Sequence, residues 1–202
     1  SIFCSAKKYL FYKIFGLIVI ISLVFFYNYQ RKYLESRGYI DIDTRYNRVK
    51  IFEGVDPSTK RRTRYLKLGT QNASAMFLDS DELVYDYGKK FNLFLSLYPE
   101  TRSALIIGGA AYSYPMEFLK VAPNATVDVI EIDDQLPLIA KKYFSLKDSP
   151  ALTNISEDAR TYLNNNSKIY DVIFMDAFSA SYSIHSNLTT IECAKKHNGA
   201  LS

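Results

Sequence analysis

The chain has 202 residues, 48% of them hydrophobic and 23% charged, which excludes a disordered or fibrous protein and suits one α/β domain with a small appendage. Its net charge of +4 is only mildly basic, and no stripe of Lys and Arg interleaves with aromatic residues, so nucleic acid is not an expected partner. Cys4 and Cys193 are far apart and the only cysteines, which argues against a disulfide framework and against a cysteine-built zinc site. The chain starts at Ser1 and stops after Gly199-Ala-Leu-Ser202, and it reads as a piece of something longer.

Residues 1–37 form the first expected domain, an anchor with its flanks. Ile14 to Tyr27 is an unbroken apolar run, and Tyr9-Leu-Phe-Tyr12 extends it if Lys13 snorkels to an interface. With Tyr and Phe at both ends, residues 9–27 read as a transmembrane helix; a buried helix of a soluble protein is the alternative. Lys7, Lys8 and Lys13 on one side nearly balance Arg31, Lys32 and Arg37 on the other, which leaves orientation open.

Residues 38–78 read as a small β-domain. Arg48 to Phe52 and Thr63 to Leu68 alternate at strand period, and Asp56-Pro-Ser-Thr-Lys60 between them carries turn chemistry. Asp79 to Leu97 is predicted as one helix, capped by Asp79 or Ser80, with Leu83, Tyr87, Phe91, Phe94 and Leu95 at helical spacing.

Residues 79–202 are expected to form a nucleoside-binding α/β domain, incomplete at its C-terminus. Strands at Ser103–Ile107, Thr126–Ile130, Leu152–Ile155 and Tyr170–Met175 alternate with helices at Tyr114–Val121, Gln135–Phe144 and Asp158–Leu163. That rhythm predicts a doubly wound parallel sheet, with a fifth strand starting at Gly199.

Ligands of such sheets bind at the carboxyl ends of the strands. The first strand ends in Gly108-Gly109-Ala110-Ala111, where the backbone can approach a ligand, or where glycine serves only to make a tight turn. The second ends at Glu131, placed to hold ribose hydroxyls unless it is a solvated strand-end carboxylate. The third leads to Glu157-Asp158-Ala159, suited to an adenine edge or simply to a helix cap, and the fourth to Asp176. Together they describe a site for an adenosine-bearing ligand. Without Gly-x-Gly-x-x-Gly or Gly-Lys-Ser/Thr, dinucleotide and triphosphate chemistry recede and the S-adenosyl class remains.

Leu105-Ile-Ile-Gly-Gly-Ala-Ala-Tyr-Ser113, Val129-Ile-Glu-Ile-Asp133, Ala140-Lys-Lys-Tyr-Phe144, Glu157-Asp-Ala-Arg-Thr-Tyr-Leu163 and Tyr170-Asp-Val-Ile-Phe-Met-Asp-Ala-Phe178 resemble the spermidine synthase (polyamine aminopropyltransferase) family, most closely its membrane-associated bacterial branch. Gln71 resembles the glutamine of that family's Asp-Gly-x-x-Gln motif, and Asp81-Glu-Leu-Val-Tyr85 its Asp-Glu-x-x-Tyr. The resemblance implies a Rossmann fold like that of S-adenosylmethionine-dependent methyltransferases. It also implies aminopropyl transfer from decarboxylated S-adenosylmethionine, as co-substrate, to a diamine such as putrescine, with methylthioadenosine released. No permanently bound cofactor or metal is expected. Gln71, Gly108, Gly109, Glu131, Asp158 and Ala159 would cradle the nucleoside, Asp176 would be the base, and Tyr85 would line the amine channel.

Departures leave alternatives. The family's Asp in the glycine loop is Ala111, which weakens selection against ordinary S-adenosylmethionine and keeps methyl transfer open. The usual His and Glu after the tyrosine are Asp86 and Tyr87, and Ala177 to Tyr182 replaces the gating motif. A non-catalytic nucleoside-binding domain on an anchor is the third reading. His185, Cys193 and His197 lack a second ligand pair, so they predict no metal, and Lys60-Arg-Arg62 reads as a solvated turn. The domain is expected on the cytoplasmic side, as a single-pass membrane protein and a possible homodimer.

Overall fold

A computed structural model describes residues 2–176, with side chains from Phe11 onward. The segment Ala177–Tyr182, the trio His185, Cys193 and His197, and the expected strand at Gly199 lie outside the described residues. The chain divides into two compact units, residues 1–40 and 41–202.

The first unit is a single helix, α1 (Ile2–Ser36), of 35 residues. Its stretch Phe11–Ser36 is long and apolar enough to cross a membrane. The apolar side chains from Phe11 to Tyr29 are exposed, which is not how a soluble core helix is built.

The second unit contains two sheets. The first has the order β1 (Ile40–Asp43), β2 (Arg48–Val55), β3 (Arg62–Leu68), β4 (Gln71–Phe77). β2, β3 and β4 pair antiparallel, with Ile51 opposite Leu66 and Tyr65 opposite Ala75. The two strands expected within residues 48–68 are therefore the middle of a larger sheet. β4, Gln-Asn-Ala-Ser-Ala-Met-Phe, has no strand alternation and is drawn into pairing by β3, across an irregularity at Leu66/Lys67.

The helix predicted from Asp79 begins seven residues later, as α2 (Asp86–Leu97). The side chains that looked like caps have another use. The Arg61 guanidinium bonds Asp79 at 2.6 Å, Ser80 Oγ at 2.6 Å and Glu82 at 2.8 Å, stacked 4.0 Å above the Phe77 ring. Leu83 then bridges back to Met76, which keeps residues 79–85 out of the helix.

The second sheet is parallel in the order β7-β6-β5-β8, built from β5 (Ser103–Ile107), β6 (Thr126–Ile130), β7 (Leu152–Ile155) and β8 (Val172–Met175). Helices α3 (Ser113–Val121), α4 (Leu136–Tyr143) and α5 (Ala159–Asn165) follow β5, β6 and β7. β5 is apolar on both faces because both are covered. Ala104 and Ile106 pack with Val127, Val129, Phe118 and Phe174, while Leu105 and Ile107 pack with Ile130, Tyr162 and Tyr170. Strand order reverses between β5 and β8, so Gly108 and Asp176 emerge side by side at the switch point, tied by Asp176 N donating to Ile107 O at 2.8 Å.

Candidate active site

The glycine turn after β5 is shaped by three left-handed residues. Gly108 has φ +95°, which glycine alone takes easily, while Ala110 at +45° and Tyr112 at +61° adopt the left-handed region at some cost. Gly109 is required for space: a Cβ there would lie 2.7 Å from the Tyr112 ring, itself fully buried beneath the turn. Tyr112 then leads into α3, and Ser113 Oγ meets Ser74 Oγ at 3.0 Å and donates to Ala75 O at 3.3 Å, which joins β4 to the turn.

Glu131, 9% exposed, stands at the end of β6 and holds that turn. Its Oε2 accepts from Gly109 N at 2.9 Å and Ala110 N at 3.2 Å, and its Oε1 from Asp133 N at 3.1 Å. The side chain is fixed by backbone donors on both oxygens.

Asp158 caps α5, accepting from Thr161 N at 2.9 Å and Thr161 Oγ1 at 3.0 Å through Oδ1. Ala159, the next residue, packs on the cluster of Leu105, Ile107 and Tyr162. The cap fixes the loop between β7 and α5 at the mouth of the sheet.

Asp176 sits against an aromatic wall. Tyr87 donates to Asp176 Oδ2 at 3.3 Å; its ring lies 6.0 Å from Tyr85 on one side and 6.0 Å from Phe91 on the other. Phe91, Tyr114 and Phe174 continue the wall, with centroids 4.8–5.1 Å apart. Loss of water around the carboxylate pushes its pKa up to about 7, while the Tyr87 hydrogen bond pulls it down. The Tyr87 and Tyr114 phenols are both raised, first by burial and then by neighbouring carboxylates, so they remain donors.

The structure thus brings Gly108, Gly109, Glu131 and Asp176 to one end of the parallel sheet, with Asp158 and Ala159 at the end of the neighbouring strand and Tyr85 in the wall beside Asp176. Gln71 stands apart from this group in the strand pairing. It opens β4 opposite Leu68, about 10 Å of strand before Ser74, the residue that meets the glycine turn. Ala111 is fully buried. Three contributors escaped the sequence reading as site residues: Tyr112, Tyr87 and Asp133. A second acid two residues beyond Glu131 was the available signal for Asp133. Among the described residues, no group of three or more His, Cys, Asp and Glu gathers where it could hold a metal.

A family model described as Spermine/spermidine synthase domain matches residues 91–202. A polyamine aminopropyltransferase of Vibrio vulnificus is 33% identical over 87 residues, 42% of this chain and 29% of that one. Another, of Lachnospira eligens, is 25% identical over 165 residues, 77% of this chain and 55% of that one. The chain therefore spans at most about half the length of these curated relatives. A solved structure of a probable spermidine synthase from Corynebacterium glutamicum superposes with TM-score 0.68 at 20% identity, over 81% of this chain and 60% of the other, which is a likeness of fold.

Proposed function

The chain belongs to the spermine/spermidine synthase domain family, and on that premise we propose that it moves an aminopropyl group from decarboxylated S-adenosylmethionine to a diamine such as putrescine. The observation that carries this is the pairing of a fixed carboxylate, Glu131, with a desolvated one, Asp176, on either side of the glycine turn. Glu131 binds the ribose, Gly108 and Gly109 let the backbone approach the nucleoside, and the loop of Asp158 and Ala159 meets the adenine. Gln71 is assigned to the cradle by the family's motif alone, since the β3–β4 register sets it about 10 Å of strand from Ser74.

The acceptor enters along Tyr85. Its ammonium loses a proton to Asp176, whose pKa near 7 suits a base that works at neutral pH. The freed nitrogen lone pair attacks the aminopropyl carbon bonded to the sulfonium. That carbon–sulfur bond breaks, sulfur keeps the electron pair, and neutral methylthioadenosine leaves. The aromatic wall offers ring faces to a cationic substrate, which suits the diamine's second ammonium, the one that keeps its proton.

The three-part organisation at residues 1–37, 38–78 and 79–202 belongs to the same reading. α1 crosses a membrane once and holds the α/β domain at the cytoplasmic face, where the nucleoside donor is made, with a homodimer as the working assembly. The exposed apolar length Phe11–Ser36 supports the anchor.

Ala111 supports a second reading, methyl transfer from S-adenosylmethionine, because a buried methyl group offers no charge to sort the two donors. One product assay separates them. The chain in detergent is given either donor with putrescine, and nucleosides are resolved chromatographically. Methylthioadenosine is the expected product. S-Adenosylhomocysteine would replace the first reading with the second, and binding without turnover of either donor would leave only a nucleoside-binding domain.

A further inference from the structure

Asp133 is an ionisable residue with no exposed surface, and the reaction proposed above gives it no part. Its carboxylate reaches from the loop after β6 to the β1–β2 turn, where the Thr44 hydroxyl and Asn47 Nδ2, the latter at 3.3 Å, both donate to Oδ2. Thr44 and Asn47 close that turn on each other, Thr44 N donating to Asn47 O at 2.8 Å and Asn47 N to Thr44 Oγ1 at 2.9 Å. On its other side Asp133 Oδ1 accepts from Gln135 N at 3.3 Å, and Asp133 O accepts from Leu136 N at 3.0 Å.

A carboxylate with no access to water is tolerated only while donors surround it. Here those donors come from two separate parts of the unit, the β1–β2 turn and the start of α4. The backbone N–H of the residue they pin is the one that donates to Glu131 Oε1 at 3.1 Å. Glu131 in turn holds Gly109 and Ala110 by its other oxygen. A continuous path of hydrogen bonds therefore runs from Thr44 through Asp133 and Glu131 to the glycine turn.

The geometry points to Asp133 as a positioning residue that makes the β1–β2 turn part of the support of Glu131, so that the small β-sheet sets how firmly the glycine turn is held and how tightly the nucleoside binds. The last clause rests on the reading of Glu131 as a ribose ligand; the mechanical link does not.

Amide hydrogen exchange of the full chain in detergent tests the link, comparing wild type with Thr44→Val and Asp133→Asn. Thr44→Val deletes one donor to a buried carboxylate and keeps the side chain's shape. It should speed exchange at Gly109 and Ala110 about tenfold while core amides of β5 keep their rates. Unchanged rates at Gly109 and Ala110 would overturn the inference, and Thr44→Val gives that answer even if Asp133→Asn does not fold. Methylthioadenosine affinity reads the consequence. Thr44→Val should weaken it about tenfold in the wild-type background and not at all beside Glu131→Ala. Equal weakening in both backgrounds would overturn the route through Glu131. Faster exchange in a chain whose wild type binds no methylthioadenosine would uphold the link and remove the nucleoside reading.

Discussion

The two acids at the mouth of the parallel sheet, Glu131 and Asp176, have opposite surroundings. Glu131 accepts three backbone N–H bonds and holds a turn in place. Among the described residues, Asp176 is met by one long hydrogen bond from Tyr87 and by a wall of rings. A carboxylate ringed by fixed donors is a rigid binding element. One that is partly desolvated has a proton affinity lifted towards neutrality. In the proposed transfer these surroundings would make Glu131 the holder and Asp176 the proton acceptor.

The sharpest way to break this comparison is Asp176→Asn. Turnover should fall on the order of 10²–10⁴-fold while methylthioadenosine binds within about a factor of two of wild type. Comparable losses in both would make Asp176 a holder as well. Glu131→Ala should do the converse, weakening methylthioadenosine binding by about 10–100-fold, read by calorimetric titration. Gly109→Ala tests the frame between them: the new methyl group meets the Tyr112 ring, and the denaturation midpoint should reveal a loss of about 1–3 kcal/mol.

The smallest effect is a displacement on the pH axis. The acid limb of kcat/KM should lie near pH 7, and Tyr87→Phe should move it to higher pH, because the hydroxyl holds the Asp176 pKa down. The sign for stability follows from the same group. Its native pKa is raised above the ordinary 3.8, so between those values the folded chain binds more protons than the unfolded one. Stability that this group contributes below about pH 4 is lost as pH rises through about 7. Melts of Asp176→Asn should therefore depend less on pH across that window than wild-type melts do.

The parallel sheet was legible because β5 is buried on both faces and reads as a continuous apolar run, Ala104 to Ile107, while β7, exposed at Thr153 and Asn154, is marked by its place in the strand–helix alternation. Glu131, Asp158 and Asp176 were legible as positions because strand ends locate a ligand in this fold. What each does was less so. Asp158 looked equally like a cap and like an adenine contact, and its Oδ1 is a cap. The start of α2 was misread since Asp79 and Ser80, good cap residues, are bound by Arg61, 18 and 19 residues upstream. β4 has no local signal and exists through its partner strand. The Thr44–Asp133 contact joins residues 89 apart, so no window of sequence contains it.

Ala110 and Tyr112 occupy left-handed backbone positions where glycine would sit without strain. Each non-glycine residue there costs the folded chain about 1–2 kcal/mol, yet each also narrows what the unfolded chain can explore. The turn is consequently a loaded spring with few alternative shapes. It will resist slow drift into neighbouring conformations, and because it rests on the fully buried Tyr112 and is pinned by Glu131, it should open together with the sheet rather than ahead of it.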